Sequence, residues 1–121
     1  MSLDENSIEV YKKKLKEKES LILFKVYDDY SKKNINFSIK NNSTHYRART
    51  IFSKEPITID WIRQFKQKSV FYDIGANIGV FSLYAALTKK VKVFSFEPES
   101  NNFQTLMENI IINKINKNVV A

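Results

Sequence analysis

The sequence predicts an α/β fold, in which a parallel sheet follows an N-terminal helix and a β-hairpin. Residues 69–74 (SVFYDI) and 91–96 (VKVFSF) are short apolar runs, and each precedes a segment with helical periodicity. Residues 118–121 (NVVA) have the composition of a third strand. The order strand, helix, strand, helix, strand predicts a right-handed βαβ sheet.

The region before this sheet is predicted from weaker patterns. Residues 1–20 are polar and rich in lysine, with a thin apolar stripe that favours a solvated helix: Val10, Tyr11, Leu15 and Leu21. Residues 35–40 and 44–52 alternate apolar and polar side chains on either side of Asn41-Asn42-Ser43, which predicts a hairpin.

A helix is predicted to begin near Pro56, where Ser53 and Glu55 supply start signals. Its apolar positions fit one face, and we expect Trp61 to lie in the core with them: Ile57, Trp61, Ile62 and Phe65.

The two later helices have clearer patterns. The first, within residues 78–90, is apolar almost all round, so it should be covered on most sides. The second has an apolar stripe at i, i+3, i+4, i+7 and i+8: Phe103, Leu106, Met107, Ile110 and Ile111.

This organisation predicts two parts, residues 1–68 before the sheet and residues 69–121 within it. Parallel sheets are buried on both faces, and two and a half strands do not meet that requirement. We therefore expect the chain to be an N-terminal portion of a longer domain, truncated after the start of the third strand. We also expect that a homo-oligomer could cover the open sheet edge.

The bulk composition excludes several classes of protein. The 121 residues contain no cysteine, so disulfides and thiolate metal sites are excluded. The first residues, MSLDENSIEV, lack the basic start and apolar stretch that predict a signal peptide, and no run of about 20 apolar residues could span a membrane, so a cytoplasmic location is the default expectation. The net charge of +7 does not predict nucleic-acid binding, because five lysines crowd into residues 12–18 and the others are spread along the chain. No metal is expected, because Asp28-Asp29 has no histidine or cysteine partner at ligand spacing.

Both glycines of the chain, Gly75 and Gly79, lie in the turn between the first strand and its helix. Ligands of open parallel sheets bind beyond the carboxyl ends of the strands, where this turn and Glu97 both fall. Gly75 can adopt backbone angles closed to other residues, and Gly79 lets the helix backbone approach a ligand or a strand. Asn77 stands between them and tolerates the left-handed region. The alternative is that the glycines only make a tight turn.

The acidic residues at these strand ends indicate which ligand is bound. The G-x-x-x-G spacing is not the dinucleotide fingerprint G-x-G-x-x-G. Asp73 would repel a pyrophosphate at close range but would favour a ligand with positive charge. S-adenosylmethionine carries a sulfonium and an ammonium group and no phosphate. Glu97, 24 residues after Asp73, is placed to accept hydrogen bonds from both hydroxyls of an adenosyl ribose.

Two stretches carry a family resemblance. DIGANIGVFSLYAA and VFSFEPESNNFQTLMENIIIN resemble the N-terminal half of class I S-adenosylmethionine-dependent methyltransferases, and more narrowly the FkbM family. The likeness covers about residues 69–121 and includes the FEP motif and the pattern Asn102, Leu106, Asn109; residues 55–62 (EPITIDWI) also resemble segments that precede the motif in relatives.

The resemblance implies a Rossmann-like sheet, a cofactor loop and a ribose-binding acid, Glu97. The residues that match the cofactor loop are Asp73, Gly75, Ala76, Asn77 and Gly79. It also implies methyl transfer to an oxygen, such as a hydroxyl of a sugar or of a natural-product-like small molecule. The later strands and the substrate-facing residues of such enzymes have no counterpart here.

No catalytic residue is assigned from the sequence. A hydroxyl acceptor would need a general base, but His45, the single histidine, is better interpreted as a surface or packed residue. Arg47 and Arg49 could contact an anionic substrate, although alternating arginines on a strand favour an exposed face. Two other functions remain open: part of a nucleotide-binding, Rossmann-like oxidoreductase, and a non-catalytic methyltransferase remnant.

Overall fold

The structure is a computed structural model that describes residues 5–17 and 21–121. Within these ranges the elements in chain order are α1 (Glu5–Glu17), β1 (Ile22–Asp28), β2 (Lys33–Ile39), α2 (Asn42–Arg49), α3 (Pro56–Arg63), β3 (Val70–Ile74), α4 (Val80–Lys89), β4 (Lys92–Phe96), α5 (Ser100–Ile112) and β5 (Val119–Val120). The predicted fold class, a parallel sheet preceded by a helix and a hairpin, is confirmed.

The hairpin lies one strand earlier than the sequence predicted. Its two strands are β1 and β2, which pair antiparallel with Ile22 opposite Ile39 and Asp28 opposite Lys33. The Asp28 carboxylate accepts hydrogen bonds from the backbone N–H of Ser31, at 3.1 Å, and from its hydroxyl, at 2.7 Å. This side chain therefore organises the turn through local hydrogen bonds, a role that aspartate commonly has in turns.

The prediction of a strand over residues 44–52 is wrong, because this segment begins with helix α2. The Asn41 side chain accepts a hydrogen bond from the Thr44 N–H, and the Thr44 hydroxyl accepts one from the Asn41 N–H, which together form a capping box. Thr44, Ala48 and Ile51 are the buried side chains, at helical rather than strand spacing. The predicted turn at residues 41–43 is the start of a helix.

The main sheet has the order β3-β4-β5 with all strands parallel. Phe71 pairs with Val93 and Asp73 with Ser95 in register, and these four side chains are buried on the same face of the sheet. Helices α4 and α5 pack on that side, and β2 of the hairpin packs against both helices. The carboxyl ends of β3 and β4 consequently meet at the same edge of the sheet.

The opposite face of this sheet is apolar and open among the described residues. Val70, Tyr72, Ile74 and Phe96 are exposed, and the rings of Tyr72 and Phe94 lie 5.5 Å apart between their centroids. Successive side chains of each strand point alternately to this open face and to the covered face, as strand geometry requires.

The predicted burial of the helices is largely confirmed. In α4 the residues 82–86 are all buried, and in α5 the apolar stripe is buried at Leu106, Met107, Ile110 and Ile111, whereas Phe103 packs against the core and is only partly buried. No helix within residues 5–17 and 21–121 is long and apolar enough to cross a membrane.

Two predicted core positions are wrong. Trp61 is 53% exposed, and its ring contacts only one side of the core through Phe65 and Phe71; Ile57 is 83% exposed. The buried positions of α3 are Ile59 and Ile62, so the face that packs is rotated from the predicted one. In α1 the buried residue is Ile8, and Val10 is exposed; the side chains of Tyr11 and Leu15 lie outside the described residues.

Candidate functional site

The loop of residues 75–79 joins β3 to α4 at the carboxyl end of the sheet. The N–H groups of Gly75 and Ala76 both donate to the carbonyl of Phe96 at the end of β4, at 2.8 and 3.0 Å. The Gly79 N–H donates to the Ala76 carbonyl at 2.8 Å and closes the turn. The end of the neighbouring strand β4 therefore fixes the loop directly.

The two glycines of the loop meet different surroundings. Both have positive φ, +76° for Gly75 and +94° for Gly79, which disfavours other residues. A Cβ on Gly75 would meet no atom within 4 Å, so open space lies beside it. A Cβ on Gly79 would lie 2.5 Å from Leu106 Cδ1 and 2.7 Å from Leu83 Cδ1. Gly79 thus makes room for the packing of α5, whereas Gly75 faces free space.

Glu97 lies directly after β4 and faces the loop. One carboxylate oxygen accepts a hydrogen bond from the Asn77 N–H at 2.9 Å, and the other accepts one from the Glu99 N–H at 3.0 Å. The residue is only partly buried, and each carboxylate oxygen retains a lone pair. Glu97 is therefore held in a fixed orientation and can still accept hydrogen bonds from a ligand.

Asp73 lies at the end of β3 on the side covered by helices, and it is only 7% exposed. Its carboxylate accepts a 2.6 Å hydrogen bond from the Ser82 hydroxyl, which lies 2.6 Å from the Ser95 hydroxyl. Because Ser82 donates its one proton to Asp73, Ser95 donates to Ser82. Burial raises the pKa of Asp73; the hydrogen bond from Ser82 opposes this rise, and the negative charge of Glu97 adds to it. Within the described residues, no cation forms an ion pair with Asp73.

Asn77 occupies the left-handed region at φ +57°, as the sequence predicted for its position between the glycines. Its Oδ1 atom is buried and has no hydrogen-bond partner in the described part of the chain. Buried acceptors are normally satisfied, so this unpaired oxygen marks a position in the loop where a hydrogen-bond donor is missing.

A buried asparagine on α5 supports the loop from below. The Asn109 amide donates to the Ile78 carbonyl at 2.8 Å, and its oxygen accepts from the Ser38 N–H at 2.7 Å. Asn109 is fully buried and thus connects the hairpin, α5 and the loop. Asn109 belongs to the sequence pattern Asn102, Leu106, Asn109. Its hydrogen bond with Ser38 of β2 was not predicted, because the two residues are distant along the chain.

A cavity of about 270 Å³ opens beside the loop. Gly75, Ala76 and Asn77 form one wall. The other walls come from the start of α4 and from the α2–α3 region: Arg47, Thr50, Ile51, Lys54, Glu55, Val80 and Phe81. The sequence prediction that Arg47 lies on an exposed strand face is wrong, since this residue is on α2, half-buried, and lines the cavity.

The remaining candidates lie elsewhere. His45 is half-buried on α2 with its ring edge-on to Phe24, 5.0 Å between centroids, and it does not line the cavity. Arg49 is exposed, and its guanidinium stacks over the ring of Tyr46. Asp28 is buried, forms an ion pair with Arg63 and accepts a hydrogen bond from Tyr84. The sequence did not predict these two partners.

S-adenosylmethionine fits the chemistry of the donor and acceptor groups gathered at this edge. The site offers a fixed carboxylate at Glu97, free space at Gly75 and an unpaired acceptor at Asn77. The negative charge that remains on Asp73 and Glu97 would favour a cationic ligand over a pyrophosphate.

Comparison with known proteins supports the fold. No protein-family model and no curated protein matches the chain. Protein PH0793 of Pyrococcus horikoshii, described as a "putative transferase", matches with a TM-score of 0.57 and 22% identity over 84% of this chain and 36% of that chain. TYW2 of P. horikoshii, solved in complex with MeSAdo, matches with a TM-score of 0.49 and 20% identity over 83% of this chain and 35% of its own.

At 22% identity, the likeness to PH0793 shows a shared fold. The chain spans about one third of the length of the solved structures that it matches.

Proposed function

We propose that the chain binds S-adenosylmethionine at the carboxyl end of its sheet and forms the cofactor-binding part of a methyltransferase of the FkbM type. The observation that carries the proposal is the geometry of Glu97, which two backbone N–H groups hold beside the loop with its acceptor capacity unfilled. The fold shared with PH0793 supports the same architecture.

In this proposal Glu97 accepts hydrogen bonds from the two ribose hydroxyls. A charged acceptor gives short and strong hydrogen bonds, and its orientation is already fixed by Asn77 and Glu99. The free space at Gly75 leaves clearance for the adenosyl group near the backbone. Bound S-adenosylmethionine would supply an electrophilic methyl group, and the chain's own residues would hold and orient it.

The methyl acceptor in this proposal is a hydroxyl of a small molecule such as a sugar or a natural-product scaffold. This part rests on the resemblance of residues 69–121 to the FkbM family. Orientation of the donor and acceptor within about 3–3.5 Å would be the principal contribution of the protein to the rate.

The test is a direct binding titration with S-adenosylmethionine and NAD on wild-type protein and on Glu97→Gln. We expect binding of S-adenosylmethionine, and a loss of about 10- to 100-fold in the variant, because hydrogen bonds to a charged group are removed. A preference of the wild type for NAD would contradict the proposal.

Glu99→Gln is the matched control for Glu97→Gln. Glu99 is exposed, and its carboxylate caps α5 by accepting from the N–H groups of Asn101 and Asn102, which lowers its pKa. Its substitution removes the same charge two residues away and should leave cofactor affinity nearly unchanged. Equal losses in both variants would indicate a general charge effect and would remove Glu97 from the ribose site.

A further inference from the structure

The cavity beside the loop is lined by two basic side chains and one acidic side chain from the α2–α3 region. Arg47 and Lys54 line it together with Glu55, and Gly75, Ala76 and Asn77 of the loop line it as well. These two basic residues are seven positions apart, and the end of α2 and the turn after it bring them to one cavity.

The guanidinium of Arg47 is positioned by a neighbour, and its charge acts on Glu99, whose pKa is lowered by the N–H groups of Asn102 and Asn101 and, to a smaller extent, by Arg47. Its Nη1 donates to the Asn102 Oδ1 at 3.1 Å, which fixes the side chain and uses one of five N–H donors. In the described part of the chain, no carboxylate lies within ion-pairing distance of Arg47. A half-buried arginine with free donors at a cavity is suited to bidentate recognition of a planar anion.

Lys54 adds a second positive charge at the same cavity. It is exposed, and its ammonium lies 5.8 Å from the centroid of the Tyr46 ring; among the described residues it has no ion-pair partner either. Val80 and Phe81, at the start of α4, also line the cavity, so the positive end of that helix dipole faces the same space.

We propose that Arg47 and Lys54 form a carboxylate-binding site beside the cofactor loop, with Arg47 as the orienting group. This inference rests on the proposed function for the identity of the neighbouring ligand. Two molecules carry a carboxylate to this position: the amino-acid end of S-adenosylmethionine, or an acidic methyl acceptor. The chemistry recognised is the same in both cases.

The experiment compares Arg47→Gln with Arg49→Gln, which removes the same charge from the same helix but from a side chain outside the cavity. Each protein is titrated calorimetrically with S-adenosylmethionine and with 5′-methylthioadenosine, which keeps the adenosyl group but has no carboxylate. The proteins saturated with S-adenosylmethionine are then titrated with succinate as a simple carboxylate probe.

If the cofactor supplies the carboxylate, Arg47→Gln should weaken S-adenosylmethionine by about 10- to 100-fold, as expected for loss of a charged hydrogen bond. Binding of 5′-methylthioadenosine should then be unchanged. If the acceptor supplies it, both adenosyl ligands should bind normally, and succinate binding should be lost in Arg47→Gln and kept in Arg49→Gln. Either result supports the site and identifies its ligand.

Arg47→Lys and Lys54→Gln separate binding from folding, because Arg47 also contacts Asn102. Arg47→Lys keeps the charge and should recover part of the lost affinity, while Lys54→Gln, on an exposed side chain, should weaken the same ligand without lowering the melting temperature. Equal behaviour of Arg47→Gln and Arg49→Gln toward all three ligands would overturn the proposal. Normal binding of 5′-methylthioadenosine in that case would leave the proposed cofactor function intact.

Discussion

Two buried aspartates, one at the end of the hairpin and one in the main sheet, have opposite electrostatic surroundings. Asp28 closes the hairpin and is 1% exposed; Asp73 ends the first strand of the main sheet and is 7% exposed. Asp28 accepts from the Arg63 guanidinium at 3.2 Å and from the Tyr84 hydroxyl at 3.0 Å. Asp73 accepts from the Ser82 hydroxyl, and no described cation pairs with it.

The pKa values of the two groups reflect this difference. Burial tends to raise the pKa of Asp28, but hydrogen bonds from Ser31, Tyr84 and the turn backbone lower it below 3.8. Burial raises the pKa of Asp73 above 3.8, and its neighbours do not offset the rise. The hairpin end is thus a satisfied structural cluster, whereas the sheet end holds a buried carboxyl group that has no counter-ion among the described residues.

The largest expected effect is at the hairpin end. Asp28→Asn should lower the free energy of unfolding by about 3 kcal/mol, because it leaves the partly buried Arg63 without its main counter-charge. Urea unfolding measures this change. Asp60→Asn is the control, since Asp60 also faces Arg63 at 3.5 Å but its side chain is 67% exposed; its loss should stay below about 1 kcal/mol. Similar losses in the two variants would contradict the structural role of Asp28.

At the sheet end, Gly75→Ala tests whether the space beside the loop serves a ligand. The positive φ should cost about 1–2 kcal/mol of stability, with no added clash because no atom lies within 4 Å. Titration with S-adenosylmethionine should show an affinity loss of about tenfold or more, equivalent to about 1.4 kcal/mol. Retention of full affinity would mean that the open space is not used by the cofactor.

Asp73→Asn should have a smaller effect on stability than Asp28→Asn. The amide keeps an oxygen for the Ser82 hydroxyl and removes an unneutralised buried charge, so stability at pH 7 should rise or fall by less than about 1 kcal/mol. Affinity for S-adenosylmethionine should fall, because a favourable negative charge is lost. A destabilisation as large as that of Asp28→Asn would show that Asp73 is also primarily structural.

The pH dependence of stability should differ in sign between the two aspartates. The folded pKa of Asp28 is lowered, so its contribution is present above pH 3.8 and is lost as the pH falls through the folded value. The folded pKa of Asp73 is raised, so its contribution is present below pH 3.8 and is lost as the pH rises through the folded value. Both contributions are measured by the difference in melting temperature between wild type and each Asn variant from pH 3 to pH 7. A difference that changes with pH in the same direction for both variants would refute the comparison.

The residues that the sequence predicted well are those whose signal is local. The β3 and β4 runs, the loop and the stripe of α5 are contiguous patterns, and the structure places Gly75, Asn77 and Glu97 at one edge as parallel strands require. The direct contact of Glu97 with the Asn77 N–H follows from that topology.

The features that the sequence did not predict, helix α2 and the contact of Asp28 with Arg63, depend on competing local signals and on residues that are distant along the chain. The alternation over residues 44–52 predicts a strand, whereas the capping box of Asn41 and Thr44 fixes a helix. The predicted exposed strand face for Arg47 is wrong for the same reason. The pairing of Asp28 with Arg63 joins residues 35 positions apart, and no pattern along the chain marks it.

The tight contact of Gly79 with Leu106 has an evolutionary consequence. A β-carbon at position 79 would lie 2.5 Å from Leu106 Cδ1 and 2.7 Å from Leu83 Cδ1, so an alanine there requires both leucine side chains to move. Positions 79, 83 and 106 should therefore vary together among related sequences.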